Sequence, residues 1–295
     1  MNIPIFYKAF GLSVESAFPI AQLTQIPPQK ADVRIVRADL SGLTGPELRF
    51  SGPHGCYFQG LDRCAHRITD GRLIEVDPQE DYDPSMLGVY LMGTCMGAIL
   101  YQRGVMLLHG SCVTDGSRAV LLTGDSGAGK STLAAEFLGR GWKLITDDVS
   151  AIYDLDGVPM VQSSYPSQKL WQDALDRYER PEDDVHSLYL TGDREKFGVD
   201  ATRFFFDGRA PLRMVVRLVP GCDECELEPI EGMTKVDQLL KNTYRRELIE
   251  PARLQSHFQH CVTLSGKFPM AFVTRTDGEN CAPKMYELIT EYLDA

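Results

Sequence analysis

Hydrophobic and polar residues alternate in short stretches over the first 80 residues, and turn-forming residues separate these stretches. The segments 31–38, 47–55 and 64–78 have the alternation of strands with one buried and one exposed face. In the third segment Asp70 and Gly71 lie between two alternating runs, which predicts a hairpin turn. The pattern predicts a small β-rich N-terminal domain over residues 1–80, with an acidic linker at 77–85.

An apolar run of 16 residues follows, from Met86 to Tyr101. A membrane crossing needs about 20 such residues, so we predict a buried helix and no membrane partner. Gly93 and Gly97 have the spacing of a membrane helix seam, but in this setting we expect them to let another element pack closely.

From residue 104 onward the pattern changes to strand, turn, strand, glycine-rich loop, helix and strand. This order predicts an α/β nucleotide-binding core in a domain covering residues 81–295. A hairpin predicted at 151–161, with its turn at Asp154–Gly157, makes the sheet mixed and not purely parallel. The polar stretch 168–200 predicts short helices, 213–220 a strand, and 282–295 a closing helix.

Composition narrows the function classes. The chain has 295 residues and a formal net charge of −11, which argues against a nucleic-acid partner because phosphate backbones are held by clustered Lys and Arg. The N-terminus lacks the pattern of a secretory signal, so we expect a cytoplasmic protein with its eight cysteines reduced. Neither Cys222 and Cys225 nor the group at 257–261 has the spacing of a zinc finger.

A phosphate-binding motif stands at the strand-to-helix junction. Gly124, Gly129, Lys130 and Ser131 match G-x-x-x-x-G-K-[ST] at every required position. Glycines let backbone N–H groups wrap phosphates, the lysine neutralises their charge, and the serine hydroxyl can ligate Mg²⁺. The residues predicted to bind ATP are Gly124, Asp125, Ser126, Gly127, Ala128, Gly129, Lys130, Ser131 and Thr132.

Asp147 and Asp148 end the next apolar strand, one short helix after the loop. We expect this strand to lie beside the one that enters the loop, which brings the two acids to the phosphates. Consecutive strand residues point to opposite faces, so the acids have different roles: one holds Mg²⁺ and the other takes the acceptor's proton. Asp147 is favoured as the base, and the reverse assignment stays open.

His109 precedes the loop on an apolar strand. If that strand and 119–124 pair across a turn between Gly116 and Ser117, opposed residue numbers sum to 233 and His109 faces Gly124. A lone histidine on such a strand is usually a core residue, but this placement predicts a role near the transferred phosphate.

The order of histidine, glycine-rich loop, helix and Asp-Asp strand over residues 109–152 resembles the HPr kinase/phosphorylase family. The wider stretch 70–175 resembles the HPr-kinase-like group encoded with lasso-peptide biosynthesis genes, whose members phosphorylate the C-terminal serine of a precursor peptide. The resemblance implies a fold like the HPr kinase C-terminal domain and Mg-ATP-dependent transfer to serine. It implies that His109 and Asp147 are catalytic, with Asp148 and Ser131 on the metal side.

One departure bears on the substrate. The family's second signature, an Ile-Arg-Gly-type loop, has no equivalent after Ile152, which counts against phosphorolysis, HPr as substrate and a hexamer. We therefore favour the hypothesis of a precursor-peptide kinase. Whether the protein forms a homo-oligomer stays open. The alternatives are a kinase of an HPr-type protein or a small molecule, and a non-catalytic nucleotide sensor.

Overall fold

Seven short strands build the first sheet of the protein. The computed structural model describes residues 3–43, 47–51, 55–171, 185–191, 194–276 and 280–295. The strands of this sheet lie in the order β1-β2-β3-β7-β6-β5-β4. Their bounds are β1 (Ile5–Ala9), β2 (Leu12–Ser16), β3 (Val33–Arg37), β4 (Arg49–Phe50), β5 (Gly55–Gln59), β6 (Cys64–Thr69) and β7 (Leu73–Pro78).

The predicted hairpin in this sheet is present. β6 and β7 pair antiparallel from Thr69 opposite Leu73 outward, and Asp70 and Gly71 have φ values of 55° and 60°. Three residues, Asp70 to Arg72, lie between the paired strands, and aspartate and glycine tolerate the two consecutive positive φ values of the turn. Burial alternates along β6, so one of its faces lies in the core.

One helical segment follows the first sheet. It consists of α1 (Pro84–Tyr90), a π-helical turn (Leu91–Cys95) and α2 (Met96–Gln102). Asp83 caps the start, because its carboxylate accepts the N–H groups of Ser85 and Met86. Of the described residues, the segment Pro84–Gln102 is the one long and apolar enough to cross a membrane, and 72% of its apolar window is buried inside the protein.

The second sheet has nine strands and both parallel and antiparallel pairs. Its main path is β11-β9-β10-β17-β13-β12-β8, and β19 joins β17 to β18. β10 and β19 run parallel to β17, while the other pairs are antiparallel. The bounds are β8 (Met106–His109), β9 (Ser111–Thr114), β10 (Ala119–Thr123), β11 (Lys143–Thr146), β12 (Val149–Leu155), β13 (Val158–Gln162), β17 (Arg209–Val219), β18 (Leu227–Ile230) and β19 (Met270–Thr274).

Helices cover both faces of the second sheet. Phe137 and Met285 lie in a core on one face, whereas Leu239 and Leu264 lie in a core on the other. The helices are α3 (Lys130–Gly139), α4 (Gly232–Lys241), α5 (Leu254–Ser265) and α6 (Ala282–Asp294), with 3₁₀ turns at Thr202–Phe204, Arg246–Leu248 and Pro251–Arg253. The predicted fold class, an α/β core with a mixed sheet after a β-rich segment, is confirmed.

The stretch 168–200 differs from its prediction. Where short helices were expected, the described residues form a three-stranded antiparallel sheet in the order β14-β16-β15. Its strands are β14 (Ser167–Trp171), β15 (Val185–Thr191) and β16 (Arg194–Asp200). A polar composition is compatible with antiparallel strands as well as with helices, so composition alone did not decide between the two. The part of the prediction at 172–184 lies outside the described residues.

The apolar helix shares its core with both main sheets. Residues of the first sheet such as Ile68 pack in one cluster with Met92 and Ile99 of the helix, and the cluster extends to Leu107 and Val149 of the second sheet. One continuous apolar core therefore joins the β-rich segment to the α/β segment. The division at residue 80 stays a prediction. None of the eight cysteines, all in the described parts, forms a disulfide.

Candidate active site

The glycine-rich loop joins β10 to the start of α3. Gly124, Gly127 and Gly129 have φ values of 149°, 82° and 103°, which residues with a Cβ rarely adopt. Gly129 occupies the N-cap position of α3 and has no side chain to cap the helix. The first N–H groups of the helix therefore face the loop, an arrangement suited to an anion.

Gly124 also has no space for a side chain. A Cβ there would lie 3.0 Å from the Cβ of Ala128 and 3.3 Å from the carbonyl oxygen of Leu218. Contacts this short displace backbone, because neither neighbour is the end of a flexible side chain. The first glycine of the motif is thus favoured by close packing as well as by its φ value.

Two cations bind the loop through its carbonyl groups. Lys130 donates from Nζ to the carbonyl oxygens of Gly124 at 2.7 Å and Asp125 at 3.1 Å. Arg275, just after β19, donates to the carbonyls of Ala128 at 3.0 Å and Gly127 at 3.3 Å. The carbonyl groups are held on the side of the cations, which orients the N–H groups of the loop.

The other loop residues lie where a ligand could reach them. The described positions Asp125 and Ser126 are exposed, and Ser131 and Thr132 are half-buried in the first turn of α3. Asp125 forms a 2.9 Å ion pair with Arg217, which lies in β17 directly beside Thr123.

The two acids occupy the bend between β11 and β12. Asp147 is 8% exposed, and its Oδ1 accepts a short hydrogen bond from the hydroxyl of Ser111. Asp148 has a φ of 79°, a conformation uncommon for residues other than glycine. Asp148 contacts His109 whereas Asp147 contacts Ser111, so the two acids have different surroundings.

His109 lies against Asp148. Its Nδ1 is 3.1 Å from the carbonyl oxygen of Asp148 and 3.2 Å from its Oδ1. The ring stacks at 6.2 Å on the ring of Tyr244, and the backbone N–H donates to the carbonyl of Asn242 at 2.7 Å. With 41% of its side chain exposed, the imidazole is both oriented and accessible.

The predicted register of the hairpin is confirmed, but the predicted position of His109 opposite Gly124 is wrong. β9 pairs with β10 so that Thr114 faces Ala119 and Ser111 faces Leu122, with residue numbers that sum to 233. The hairpin ends at Ser111, because the chain changes neighbours at Gly110. His109 belongs to β8 and lies opposite Val149 of β12, so it meets Asp148 and not Gly124.

The neighbour of β11 also differs from the prediction, which placed this strand beside the strand that enters the loop. β9 lies between β10 and β11, because the hairpin preceding the loop inserts its first strand there. The acids still come to the loop side: Ser111, which Asp147 contacts, pairs with Leu122, two residues before Gly124.

Five residues of the site were not predicted from the sequence: Ser111, Arg217, Asn242, Tyr244 and Arg275. Arg217 donates to Asn242 Oδ1 at 3.2 Å and binds Asp125, so a chain of contacts runs from His109 to the loop. A charged residue inside the apolar strand 213–220 was the available signal for Arg217. Asn242 and Tyr244 follow α4 and had no local signal.

Burial strengthens the preference of two neighbouring groups for their neutral form. Burial raises the pKa of Tyr101, whose phenol donates to the carbonyl of Tyr244, the residue stacked on His109. Burial likewise raises the pKa of the Cys112 thiol, which follows Ser111. Both groups are structural, since neither loses its proton at neutral pH.

The described residues thus combine an N–H-lined loop, a lysine and two carboxylates in different surroundings. A buried carboxylate oriented by a hydroxyl suits proton transfer, and a second carboxylate held against a histidine is an oxygen donor of the kind that suits a divalent cation. Such a set can bind a polyphosphate and deprotonate a hydroxyl beside it.

Comparison with known proteins agrees with these features. Residues 104–172 match the family model described as HPr Serine kinase C-terminal domain. The HPr kinase/phosphorylase of Clostridium beijerinckii is 48% identical over 50 residues, 17% of each chain. That of Burkholderia lata is 34% identical over 140 residues, 47% of this chain and 38% of the relative.

The match covers part of each protein. The chain spans well under half the length of these curated relatives. A solved structure, the Hpr(Ser) kinase/phosphatase from Coxiella burnetii, aligns with a TM-score of 0.33 and 13% identity, over 63% of this chain and 95% of that one. The resemblance predicted from the sequence is confirmed at this level: residues 104–172 are similar to the HPr Serine kinase C-terminal domain.

Proposed function

We propose that this protein is an ATP-dependent kinase that phosphorylates a serine hydroxyl. The observation that supports it most is the contact of Asp147 with Ser111, which places a buried carboxylate next to the strand that enters the glycine-rich loop. A nucleotide sensor needs the loop but has no use for a carboxylate held in this way.

The loop residues fit a nucleotide and its cation. Gly124, Gly127 and Gly129 adopt positive φ values around a helix start with no side-chain cap, which suits phosphates. Ser131 and Asp148 are the oxygen donors that would hold Mg²⁺. When bound, Mg-ATP supplies the phosphoryl group and neutralises its developing charge.

Side chains of the protein bind the phosphate, accept the proton and orient the two carboxylates. Lys130 leaves the loop carbonyls to bind phosphate oxygens, and Asp147 takes the proton of the acceptor hydroxyl at a carboxylate oxygen. Ser111 keeps that carboxylate oriented by donating to Oδ1. His109, stacked on Tyr244 and in contact with Asp148, orients the metal-side carboxylate.

For the acceptor, we propose the C-terminal serine of a ribosomally made precursor peptide in the cytoplasm. Support comes from the resemblance of residues 70–175 to the lasso-associated group and from the missing Ile-Arg-Gly-type loop. An HPr-type protein is the second candidate acceptor, favoured by the names of the relatives.

The experiment is a transfer assay with two acceptors. The full chain is incubated with Mg-ATP and either a precursor peptide ending in serine or an HPr-type protein, and added phosphate is located by tandem mass spectrometry. Phosphate on the terminal serine supports the full proposal, whereas phosphate on HPr alone retains the kinase and replaces the acceptor.

The matched variants are Asp147→Asn and Asp156→Asn. We expect the first to abolish transfer while ATP still binds. Asp156 lies exposed in the turn after β12, at a φ of 53° that asparagine tolerates, so Asp156→Asn keeps activity. Full activity in Asp147→Asn refutes its role as the base, and ATP binding without transfer to any acceptor refutes the kinase.

A further inference from the structure

A second cluster of reactive side chains lies in the first sheet, apart from the candidate active site. Asp62, Cys64 and His66 each offer a ligand atom, and these atoms all lie within 4.8 Å of one another. All three residues are 0% exposed. We propose that they form a Zn²⁺ site that stabilises the first sheet.

Strand geometry brings the three side chains together. Cys64 and His66 stand two residues apart in β6, where burial alternates, so both point into the core. Asp62 precedes them in the tight turn Gly60–Cys64, which is closed by the Gly60 N–H on the Cys64 carbonyl at 2.9 Å. The spacing D-x-C-x-H joins a turn residue to two alternate residues of a strand, unlike the finger spacing considered in the sequence.

The backbone at Gly60 leaves space for the carboxylate of Asp62 but none for a side chain on residue 60. A Cβ on Gly60 would lie 2.1 Å from Asp62 Oδ1 and 3.3 Å from His66 Nε2. Asp62 is also held by the N–H of Cys64, at 3.2 Å from Oδ1, and its Oδ2 is 2.9 Å from His66 Nε2.

The imidazole is fixed in the orientation a ligand needs. It packs against two aromatic rings, with centroid distances of 4.8 Å to Phe58 and 5.8 Å to Tyr90. Its other nitrogen, Nδ1, is 3.6 Å from the Sγ of Cys95. Metal-bound histidines have their second nitrogen held in this way, so Cys95 is the positioning residue.

Cys95 is the last residue of the π-helical turn. π turns are rare and are frequent at functional sites, because the extra residue per turn redirects side chains. Here the turn brings the thiol of Cys95 to His66.

Charge balance favours a divalent cation. A buried carboxylate is costly unless it is neutralised, and one carboxylate with one thiolate balances the two charges of Zn²⁺. On binding, the Cys64 thiol loses its proton to solvent, and the neutral imidazole carries its one proton on Nδ1, facing Cys95. Sulfur, nitrogen and oxygen donors together select zinc over magnesium or calcium, and three protein ligands leave the fourth tetrahedral position for water.

The test measures metal content and needs no kinase assay. The full chain is purified without chelators, incubated with Zn²⁺ and desalted, and zinc is measured by inductively coupled plasma mass spectrometry. We expect one zinc ion per chain, none in Cys64→Ser or His66→Ala, and an unchanged content in Cys112→Ser, a buried-thiol control from the second sheet. Cys95→Ser should keep the stoichiometry and weaken affinity roughly 10- to 100-fold.

A second measurement uses the wild-type protein alone, so it tests the proposal even if the variants do not fold. The wild-type protein is titrated with Co²⁺, and we expect the thiolate-to-cobalt band in the near ultraviolet and the intense visible bands of a tetrahedral ion. Folded wild-type protein that retains no stoichiometric zinc and shows no thiolate band with Co²⁺ overturns the proposal. The cluster would then be a hydrogen-bonded core network only.

Discussion

The contact between Ser111 and Asp147 allows a quantitative test of the proposed base. Both side chains are buried, at 2% and 8% exposure, so the hydrogen bond is little screened by water. Hydrogen bonds to charged groups contribute about 1.5–3 kcal/mol. If Ser111 orients Asp147 for proton transfer, Ser111→Ala should lower kcat about 10- to 100-fold, because each ~1.4 kcal/mol is a factor of ten in rate.

The assay separates positioning from binding. Steady-state phosphorylation gives kcat and the KM for ATP, and calorimetry gives the Kd for ATP. We expect Ser111→Ala to lower kcat and to leave the Kd for ATP unchanged, because Ser111 contacts the acid and not the loop. Ser111→Thr keeps a hydroxyl at the same carbon and should restore part of the lost rate, which a merely structural serine does not explain.

The control is Ser16→Ala, a buried serine of the first sheet whose hydroxyl donates to the carbonyl of Phe18. It makes the same chemical change and should leave kcat unchanged in the folded protein. A kcat of Ser111→Ala within about twofold of the wild type, less than ~0.5 kcal/mol, refutes the positioning role of Ser111. A raised KM for ATP at unchanged kcat refutes it equally.

Three further substitutions test the loop and its support. Gly124→Ala should weaken ATP binding roughly 10- to 100-fold, because a strained φ costs about 1–3 kcal/mol, while Gly139→Ala, with open space around it, leaves the Kd unchanged. Arg217→Gln should raise the Kd for ATP by at most about fivefold, since its partner carboxylate is exposed and such pairs contribute up to ~1 kcal/mol; exposed Arg213→Gln in the same strand should have no effect. Phe137→Ala, whose fully buried ring packs edge-on against two aromatic rings, should lower the free energy of unfolding by about 3–5 kcal/mol in urea denaturation.

Features specified by local sequence were predicted well. The Asp70–Gly71 turn, the hairpin at 151–161 and the strand–loop–helix around Lys130 each depend on residues within a few positions of one another. In the second hairpin, Asp156 and Gly157 have positive φ values of 53° and 82°, because the two-residue turn imposes them whatever lies elsewhere in the fold.

Non-local pairing could not be predicted in this way. The stretch 104–114 has the pattern of one continuous strand, yet the chain changes neighbours at Gly110, so that His109 and Ser111 lie in strands paired with different partners. A Cβ at Gly110 would lie 2.4 Å from the carbonyl oxygen of Leu122, so the residue at the crossing must be glycine. The crossing is visible in the sequence only as one glycine among 26.

That crossing also explains how two neighbouring polar residues reach different acids. His109 lies opposite β12 and contacts Asp148, whereas Ser111 lies in β9 and contacts Asp147. Because Asp147 contacts Ser111 and Asp148 contacts His109, one short segment at 109–111 positions both carboxylates. The separation of the proposed base from the proposed metal-side acid therefore depends on sheet topology as much as on the residues themselves.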